Sequence, residues 1–352
     1  TTTLPSIHSL LKGQEMSSAL YRTHELAYRT QYAEIKERAR ATGLLLPGTP
    51  GRLKLKSVNG GSYWYRLFYP VPGKQEEKFV CTEADLEAYE TMRLAIEDQD
   101  WMTKQISLLR KIGFQTADKV MARVLVELHN QHMLDAGLVL VGTLAYMAWL
   151  NELGGMSTSA HTQDIDLASH ILRLAAPASF LETVKATGLP FFPVPGLSPA
   201  SPTCSVKLPG AQGLRVDVLT PGEELGQIVK LPALAWAAQT VPFYDYLLKD
   251  PEPACMLAGG HCVPVHIPQA ARFVWHKLYA STQRRGTPEK ATKDRIQALT
   301  IAALLASEDA HLLLDALNEL PPRMREHIAR IKGTLMHTAS AHPELIDLLD
   351  AI

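Results

Sequence analysis

The sequence predicts an α+β fold in which a short mixed β-sheet lies between two parts rich in helix. Residues 1–112 alternate between helical segments and a β-hairpin pattern, and residues 113–267 combine short apolar strands with helices and glycine turns. Residues 268–352 have helical spacing throughout. These changes of pattern predict three units, namely a helix and β-hairpin module, a central α+β core and a C-terminal helical bundle.

The composition is that of an ordinary globular protein. The chain has 352 residues, 46% of them hydrophobic and 20% charged, with a formal net charge of -1. This balance argues against a uniformly basic, nucleic-acid-coating surface, although it leaves room for a local basic patch. Four scattered cysteines, no signal-peptide pattern and no apolar run of about 18 to 20 residues predict a cytoplasmic protein without a membrane partner.

The first module is predicted from three local patterns. A proline-free stretch rich in Ala, Glu, Arg and Lys predicts a helix over residues 14–41, and Asn59-Gly60-Gly61 between two strand-like runs predicts a hairpin with a third strand near Lys78. A second helix is expected from Thr82 to Leu109. The basic and aromatic hairpin residues suit nucleic-acid stacking, but packing of these aromatics in a core is the favoured interpretation.

The central core begins with a helix, a strand and a second helix. Apolar residues at helical spacing end at Gly137, four apolar residues follow as a strand, and Gly142-Thr143 turns the chain into the next helix. Glycine permits close backbone approach, and the first amides of a helix lack partners within it. The turn therefore predicts a cradle for the triphosphate of a nucleotide.

Three aspartates are predicted to share one face of the sheet. Asp164 and Asp166 are two residues apart in a short strand-like stretch, and Asp217 lies between Val216 and Val218 in another. Clustered carboxylates repel each other unless a cation compensates them. Because the cluster has no histidine or thiol, the expected ion is Mg²⁺, with Mn²⁺ as a substitute.

Three segments together resemble the motifs of the polymerase-β-type nucleotidyltransferase superfamily. They are residues 138–145 (LVLVGTLA), 162–168 (TQDIDLA) and 215–219 (RVDVL), and residues 271–278 (ARFVWHKL) and 290–297 (KATKDRIQ) are similar to later helices of a bacterial branch. That branch includes abortive-infection toxins and uncharacterised nucleotidyltransferase-domain proteins. The resemblance implies transfer of a nucleoside monophosphate from an NTP to an acceptor.

The resemblance also implies roles for individual residues. Asp164 and Asp166 would hold metal ions, and Asp217 would be a metal ligand or the general base. The nucleotide would be bound by five residues: Gly142, Thr143, Thr162, Lys277 and Asp294. Among these, Lys277 would contact phosphates, and Asp294 would orient Lys277 or the acceptor. The chain departs from the superfamily in having Gly-Thr in place of Gly-Ser and a long segment between Thr143 and Asp164.

The sequence is compatible with several acceptors and biological roles. The acceptor is an RNA, a protein or a small molecule, and the branch implies a toxin or phage-defence role with a cognate neutralising partner. Two alternatives are a catalytically silent NTP-binding regulator and a nucleic-acid-binding module. A basic run of four residues is either a solvated loop or a surface that steers a nucleotide: Arg284, Arg285, Lys290 and Lys293.

Overall fold

The structure, a computed structural model, confirms the α+β fold. It describes residues 19–158, 160–169, 171–174, 177–196, 201–284 and 286–352. Within these residues a nine-stranded mixed sheet, a three-stranded antiparallel sheet and a two-stranded pair are combined with helices at both ends of the chain.

The first module contains the predicted hairpin but a shorter first helix. Asn59 and Gly60 both have positive φ, +50° and +81°, as the tight turn of a hairpin requires. The helix predicted from residue 14 begins only at Leu26, because residues 22–23 pair with a strand of the core; residues 14–18 of that prediction lie outside the described part. The elements are β1 (Arg22–Thr23), α1 (Leu26–Ala41), β2 (Arg52–Val58), β3 (Gly61–Val71), β4 (Lys74–Thr82) and α2 (Leu86–Lys111).

The core is built on the large mixed sheet. Its elements are α3 (Lys119–Asn130), β5 (Val139–Leu140), α4 (Gly142–Glu152), β6 (Gly155–Met156), β7 (Asp164–Ala168), α5 (Phe180–Lys185), β8 (Phe192–Pro193), β9 (Ser205–Lys207), β10 (Arg215–Pro221), β11 (Ile228–Leu231), β12 (Trp236–Val241), α6 (Tyr244–Leu247), β13 (Glu252–Ala258) and β14 (His261–Ile267). The strand order is β11-β12-β10-β7-β5-β14-β13.

Strand β10 is the centre of this sheet. It pairs in parallel with β7 on one side. On the other side, β9 pairs antiparallel with its first half and β12 pairs in parallel with its second half. The prolines of residues 190–209 predict a surface loop, of which residues 197–200 lie outside the described part. This prediction is wrong for the rest, because β8 and β9 extend the sheet beside β10.

The C-terminal part is helical, as predicted. Its helices are α7 (Ala270–Gln283), α8 (Pro288–Asn318), α9 (Pro322–Ala329), α10 (Lys332–Thr338) and α11 (Pro343–Asp350). Ser307, a residue type that commonly caps helices, predicts the start of a new helix. In the structure α8 continues through that position and bends at Asp309, whose φ and ψ of −155° and 95° are not helical.

The sequence predicts no membrane span, but helix α8 is by length and composition apolar enough to cross a membrane. However, 56% of its apolar window is buried inside the protein. Ala298, Ile301 and Leu305 belong to the same apolar cluster as the buried strand residues of the core. Packing against the rest of the protein therefore accounts for the apolar character of this helix.

The N-terminal helices pack on the outer hairpin of the core. Tyr32 and Ile35 of α1 and Leu109 of α2 form one apolar cluster with Cys255 and Cys262 of β13 and β14. The Tyr32 hydroxyl also donates to the Glu152 carboxylate at 2.9 Å. The unit boundaries near residues 112 and 267 stay predictions about independent domains, but this cluster joins the first two units through apolar burial.

Truncation of Leu109 tests this contact. Leu109 is fully buried against the core hairpin, so Leu109→Ala is expected to lower the free energy of unfolding by about 2–5 kcal/mol. Leu108→Ala is the matched control, because Leu108 is 43% exposed and its truncation should change stability by less than about 0.5 kcal/mol. Urea unfolding followed by circular dichroism measures both, and equal effects would contradict the packing described.

Candidate active site

The parallel pairing of β7 and β10 brings the three aspartates together. Asp166 lies opposite Asp217, and Asp164 lies opposite Arg215. The alternating residues point into the core, since four of them are fully buried: Ile165, Leu167, Val216 and Val218. The three carboxylates therefore share the other face of the sheet, as the alternation of the sequence predicted.

Gly142 places the start of α4 against this face. It has a φ of +66°, and a Cβ atom built on it would lie 2.3 Å from Oδ2 of Asp166. The backbone amide of Val141, just before it, donates to the Asp166 carbonyl at 3.0 Å. Only glycine meets both demands, because other residues avoid this φ and their Cβ would collide with the carboxylate. Thr143 follows in the first helical turn and is half-buried.

The surroundings of Asp166 make its charge unfavourable. Burial, first, and then the neighbouring charges of Asp217 and Asp164 raise the pKa of Asp166 from 3.8 to about 7. Lys277 and Arg284 act in the opposite direction but only partly compensate. At neutral pH this carboxyl group is consequently poised between holding a proton and accepting a cation.

Asp217 is held by two residues that the sequence analysis did not identify. Its Oδ1 atom accepts a hydrogen bond from Nε of Arg215 at 2.8 Å and another from the hydroxyl of Ser205. Arg215 also donates to the Ser205 hydroxyl at 2.8 Å. Ser205 lies on β9, within the segment predicted as a loop, so only the pairing of β9 with β10 reveals its place beside Asp217.

Lys277 and Asp294 form a nearly buried ion pair between α7 and α8. Nζ of Lys277 lies 3.1 Å from Oδ1 of Asp294, and both side chains are 9% exposed. Nε of Arg284 contacts the other carboxylate oxygen of Asp294 at 3.1 Å. Asp294 therefore orients two basic side chains. Lys277 was predicted to belong to the site, whereas Arg284 was predicted only as part of a basic run.

Lys293, another residue of that basic run, contacts the segment before β7. Lys293 donates to the backbone carbonyl of His161 at 3.0 Å, and burial together with the charge of Lys277 lowers the pKa of Lys293. Arg285 lies outside the described residues. The contact of Lys293 fixes the segment that leads into β7.

Aromatic residues close the buried side of the site. Burial and the nearby charge of Asp166 raise the pKa of Tyr244. The ring of His276 lies 5.1 Å from that of Tyr244 in an edge-on arrangement, and burial lowers the pKa of His276 to about 4. Both side chains are consequently neutral at physiological pH and add no charge to the carboxylates.

Thr162 shapes the entry into β7. Its hydroxyl accepts from the Asp164 amide at 3.1 Å and donates to the Asp164 carbonyl at 3.3 Å. This local turn fixes the backbone one step before the acidic face. The nucleotide-binding role of Thr162 stays a prediction.

The residue types at this face fit a hard divalent cation. In the part of the chain that the structure describes, no three side chains of His, Cys, Asp or Glu are already gathered around one point. Nevertheless the face offers the oxygens of three carboxylates, and the charges of Asp217 and Asp164 help to raise the pKa of Asp166, a repulsion that a bound cation relieves. Oxygen-only donors of this kind suit Mg²⁺ or Mn²⁺.

The fold and this geometry are typical of an enzyme that acts on phosphate chains, since acidic strands and the amides of a helix N-terminus lie together. A comparison with protein families is more specific. The family model described as nucleotidyltransferase matches residues 119–321, and the chain belongs to this family. The protein is accordingly an enzyme that transfers a nucleoside monophosphate from an NTP to an acceptor.

Solved structures show distant similarity. One is the solution structure of the antibiotic-resistance factor ANT(2'')-Ia, 14% identical, covering 62% of this chain and 96% of that chain with a TM-score of 0.31. Another is the crystal structure of an antigenic nucleotidyltransferase-like protein from Paracoccidioides brasiliensis. It is 16% identical, and the match covers 59% of this chain and 91% of that chain with a TM-score of 0.31. No curated protein matches the chain.

Replacement of Gly142 tests the close approach of α4 to Asp166. Gly142→Ala introduces a positive-φ penalty and a collision, and we expect a loss of about 2–4 kcal/mol in unfolding free energy, with activity falling at least about tenfold. Gly73→Ala is the matched control, because Gly73 has a φ of +81° but open space around its Cβ position. Its expected loss is about 1 kcal/mol with unchanged activity. Similar behaviour of the two variants would refute the contact.

The pH dependence of stability tests the electrostatics of Asp166. Its pKa is raised in the folded state, so protonation stabilises the fold; this contribution is complete below about pH 4 and is lost as pH rises through about pH 7. In EDTA, which removes divalent ions, the free energy of unfolding of the wild type should fall by about 2–4 kcal/mol between about pH 5 and pH 8. Asp166→Asn should remove this fall. Asp100→Asn, at an exposed ion pair of α2, is the control. Parallel curves for wild type and Asp166→Asn in thermal unfolding would contradict the shift.

Proposed function

We propose that the acidic face formed by Asp164, Asp166 and Asp217 is the catalytic site, and that it uses Mg²⁺ or Mn²⁺. The observation that carries the proposal is the parallel register of β7 and β10, which puts Asp166 beside Asp217 while the N-terminus of α4 touches Asp166. A metal ion and a triphosphate would thereby meet at one place. The raised pKa of Asp166 supports a cation as the compensating partner.

The residues of the chain then have distinct tasks. Asp164 and Asp166 hold the metal, and the first amides of α4 with the hydroxyl of Thr143 hold the triphosphate. Thr162 supports the nucleotide from the entry of β7. When bound, the divalent ion neutralises phosphate charge and lowers the pKa of the acceptor hydroxyl. Lys277, kept in place by Asp294, neutralises the pyrophosphate as it leaves.

The transfer forms one bond and breaks another. The acceptor oxygen bonds to the α-phosphorus, the bond from that phosphorus to the bridging oxygen breaks, and pyrophosphate leaves with the bonding electrons. Asp217 takes the proton of the acceptor hydroxyl. The hydrogen bonds from Arg215 and Ser205 keep the Asp217 carboxylate oriented for this step.

One observation on each alternative function supports the catalytic proposal over it. A silent regulator has no need of three carboxylates whose repulsion disfavours the fold, so the cluster supports catalysis. For the nucleic-acid module, Trp64 packs against Tyr89 of α2 with ring centroids 4.6 Å apart, which supports a structural role for this aromatic residue. A toxin or phage-defence role with a neutralising partner is proposed from the resemblance alone. Growth arrest caused by the wild type and not by Asp164→Ala, Asp166→Ala would support it, and equal toxicity would refute it.

Labelled nucleotides test the catalytic proposal. The wild type, with Mg²⁺ or Mn²⁺, is incubated with each α-labelled NTP and with total RNA, total protein or a small-molecule extract as the acceptor. The double variant Asp164→Ala, Asp166→Ala should lose at least about three orders of magnitude in label transfer, and Lys277→Gln about two. Lys249→Gln is the control for Lys277, since Lys249 lies in an exposed ion pair with Glu319.

The same assay separates the proposal from its rivals. Metal-dependent NTP binding without transfer to any acceptor would favour the regulator. Transfer that survives in the double variant would show that the acidic face is not the catalytic site.

A further inference from the structure

A cavity lies beside the segment that leads into β7. It has a volume of about 640 Å³, within the range of small-molecule sites. Its walls come from the C-terminal half of α2, the connection between α2 and α3, the first half of α4 and the turn between β13 and β14. The N-terminal module and the core therefore build this cavity jointly.

The cavity reaches two segments next to the proposed catalytic site. Thr162 lines it and accepts a hydrogen bond from the Asp164 amide, and Leu144, which also lines it, follows Thr143 in the chain. The hydrogen bond from Lys293 to the His161 carbonyl ties the first of these segments to α8. A molecule bound in the cavity consequently lies next to the entry into β7 and to the first turn of α4.

The hydroxyl groups of the lining are arranged to accept hydrogen bonds. Thr103 donates to the Gly260 carbonyl at 3.3 Å, Ser157 to the Leu20 carbonyl at 3.1 Å, and Thr162 to the Asp164 carbonyl at 3.3 Å. The hydroxyls of Thr103 and Thr162 also accept one hydrogen bond each, from Gln99 and from the Asp164 amide. Each of these two oxygens therefore keeps one lone pair for a ligand. This lining suits a ligand that carries hydroxyl groups of its own.

The charges of the lining favour an anion. Arg110 and Lys119 line the cavity, and within the described residues neither takes part in an ion pair shown by the structure. Asp118 also lines the cavity, and its Oδ1 atom accepts from the amides of Val120 and Met121 at 2.8 Å as the cap of α3. The lining thus has two basic side chains against one carboxylate, which favours an anionic ligand.

We propose that this cavity binds the acceptor, and that the acceptor is a small polyhydroxylated anion of the sugar phosphate class. The inference rests on the proposed function of the acidic face. Arg110 and Lys119 hold the anionic group, and an acceptor hydroxyl near Thr162 bonds to the α-phosphorus of the NTP. Pyrophosphate leaves from that phosphorus and the hydroxyl proton passes to Asp217. An acceptor of this size also gives the N-terminal module a task, because α2 closes one side of the cavity.

Calorimetric titration of the full chain, without NTP or metal, tests the binding site. The probes are ribose 5-phosphate, glucose 6-phosphate and glycerol 3-phosphate, each compared with its uncharged parent. We expect the phosphates to bind at least about tenfold more tightly than the parents, and Arg110→Gln or Lys119→Gln to weaken them about tenfold or more. Lys104→Gln, at an exposed position of α2 outside the cavity, should leave affinity unchanged.

A second variant addresses the volume of the cavity. Ser107→Trp places a large side chain in the lining from a partly exposed helix position and should abolish phosphate binding while thermal unfolding stays near that of the wild type. If none of the probes binds, or if Arg110→Gln and Ser107→Trp bind like the wild type, the proposal is overturned.

Failure of this inference and failure of the catalytic proposal give different results. Binding of the probes should persist in Asp164→Ala, Asp166→Ala, because those residues do not line the cavity. Transfer to small molecules should fall about tenfold or more in Arg110→Gln with unchanged NTP affinity. Transfer to RNA or protein that is equal in wild type and Arg110→Gln overturns the acceptor assignment and leaves the catalytic site intact, whereas absence of all transfer refutes the catalytic proposal.

Discussion

The parallel pairing of β7 with β10 is the constraint on which the rest of the site depends. It places the Asp166 and Asp217 backbones in register and so puts two carboxylates side by side, with Asp164 two residues away. The buried valine, isoleucine and leucine side chains on the opposite face hold this register, because a slip by one residue would turn the acids into the core. Apolar packing on one face of the sheet thus holds mutually repelling carboxylates close together on the other face.

The elements around the sheet can be understood as responses to that repulsion. Arg215 and Ser205 bind Asp217 from the same and the neighbouring strand, while Lys277 and Arg284 approach Asp166 from the C-terminal helices. Asp294 contacts both of these side chains and keeps the nearly buried Lys277 oriented. Even so, the pKa of Asp166 stays near 7, which corresponds to roughly 4 kcal/mol against ionisation. A bound cation would relieve this remaining strain.

The N-terminal module is joined to the core by two kinds of contact. Apolar packing of α1 and α2 on the β13–β14 hairpin fixes its position, and α2 then supplies one wall of the large cavity. The hairpin of this module uses Trp64 for packing against α2, while Tyr63, Tyr65 and Phe79 form a second aromatic group on the sheet. A structural module can in this way determine which molecules reach the acidic face without contributing to the chemistry itself.

The sequence by itself determined what depends on short-range pattern. The alternation of acidic and apolar residues placed Asp164 and Asp166 on one face of their strand, and Asp217 on one face of another strand. The Gly142 turn marked the start of a helix. Both predictions follow from backbone periodicity and glycine stereochemistry. Only the tertiary structure decided which strands are neighbours. Ser205 lay in a predicted loop, Arg284 in a basic run and Tyr244 in no motif. The start of α1 moved to Leu26 because β1 pairs with β6, where Arg22 lies opposite Met156, 134 residues away. Long-range strand pairing and helix packing depend on burial summed over the whole chain. A short stretch of sequence does not contain this information.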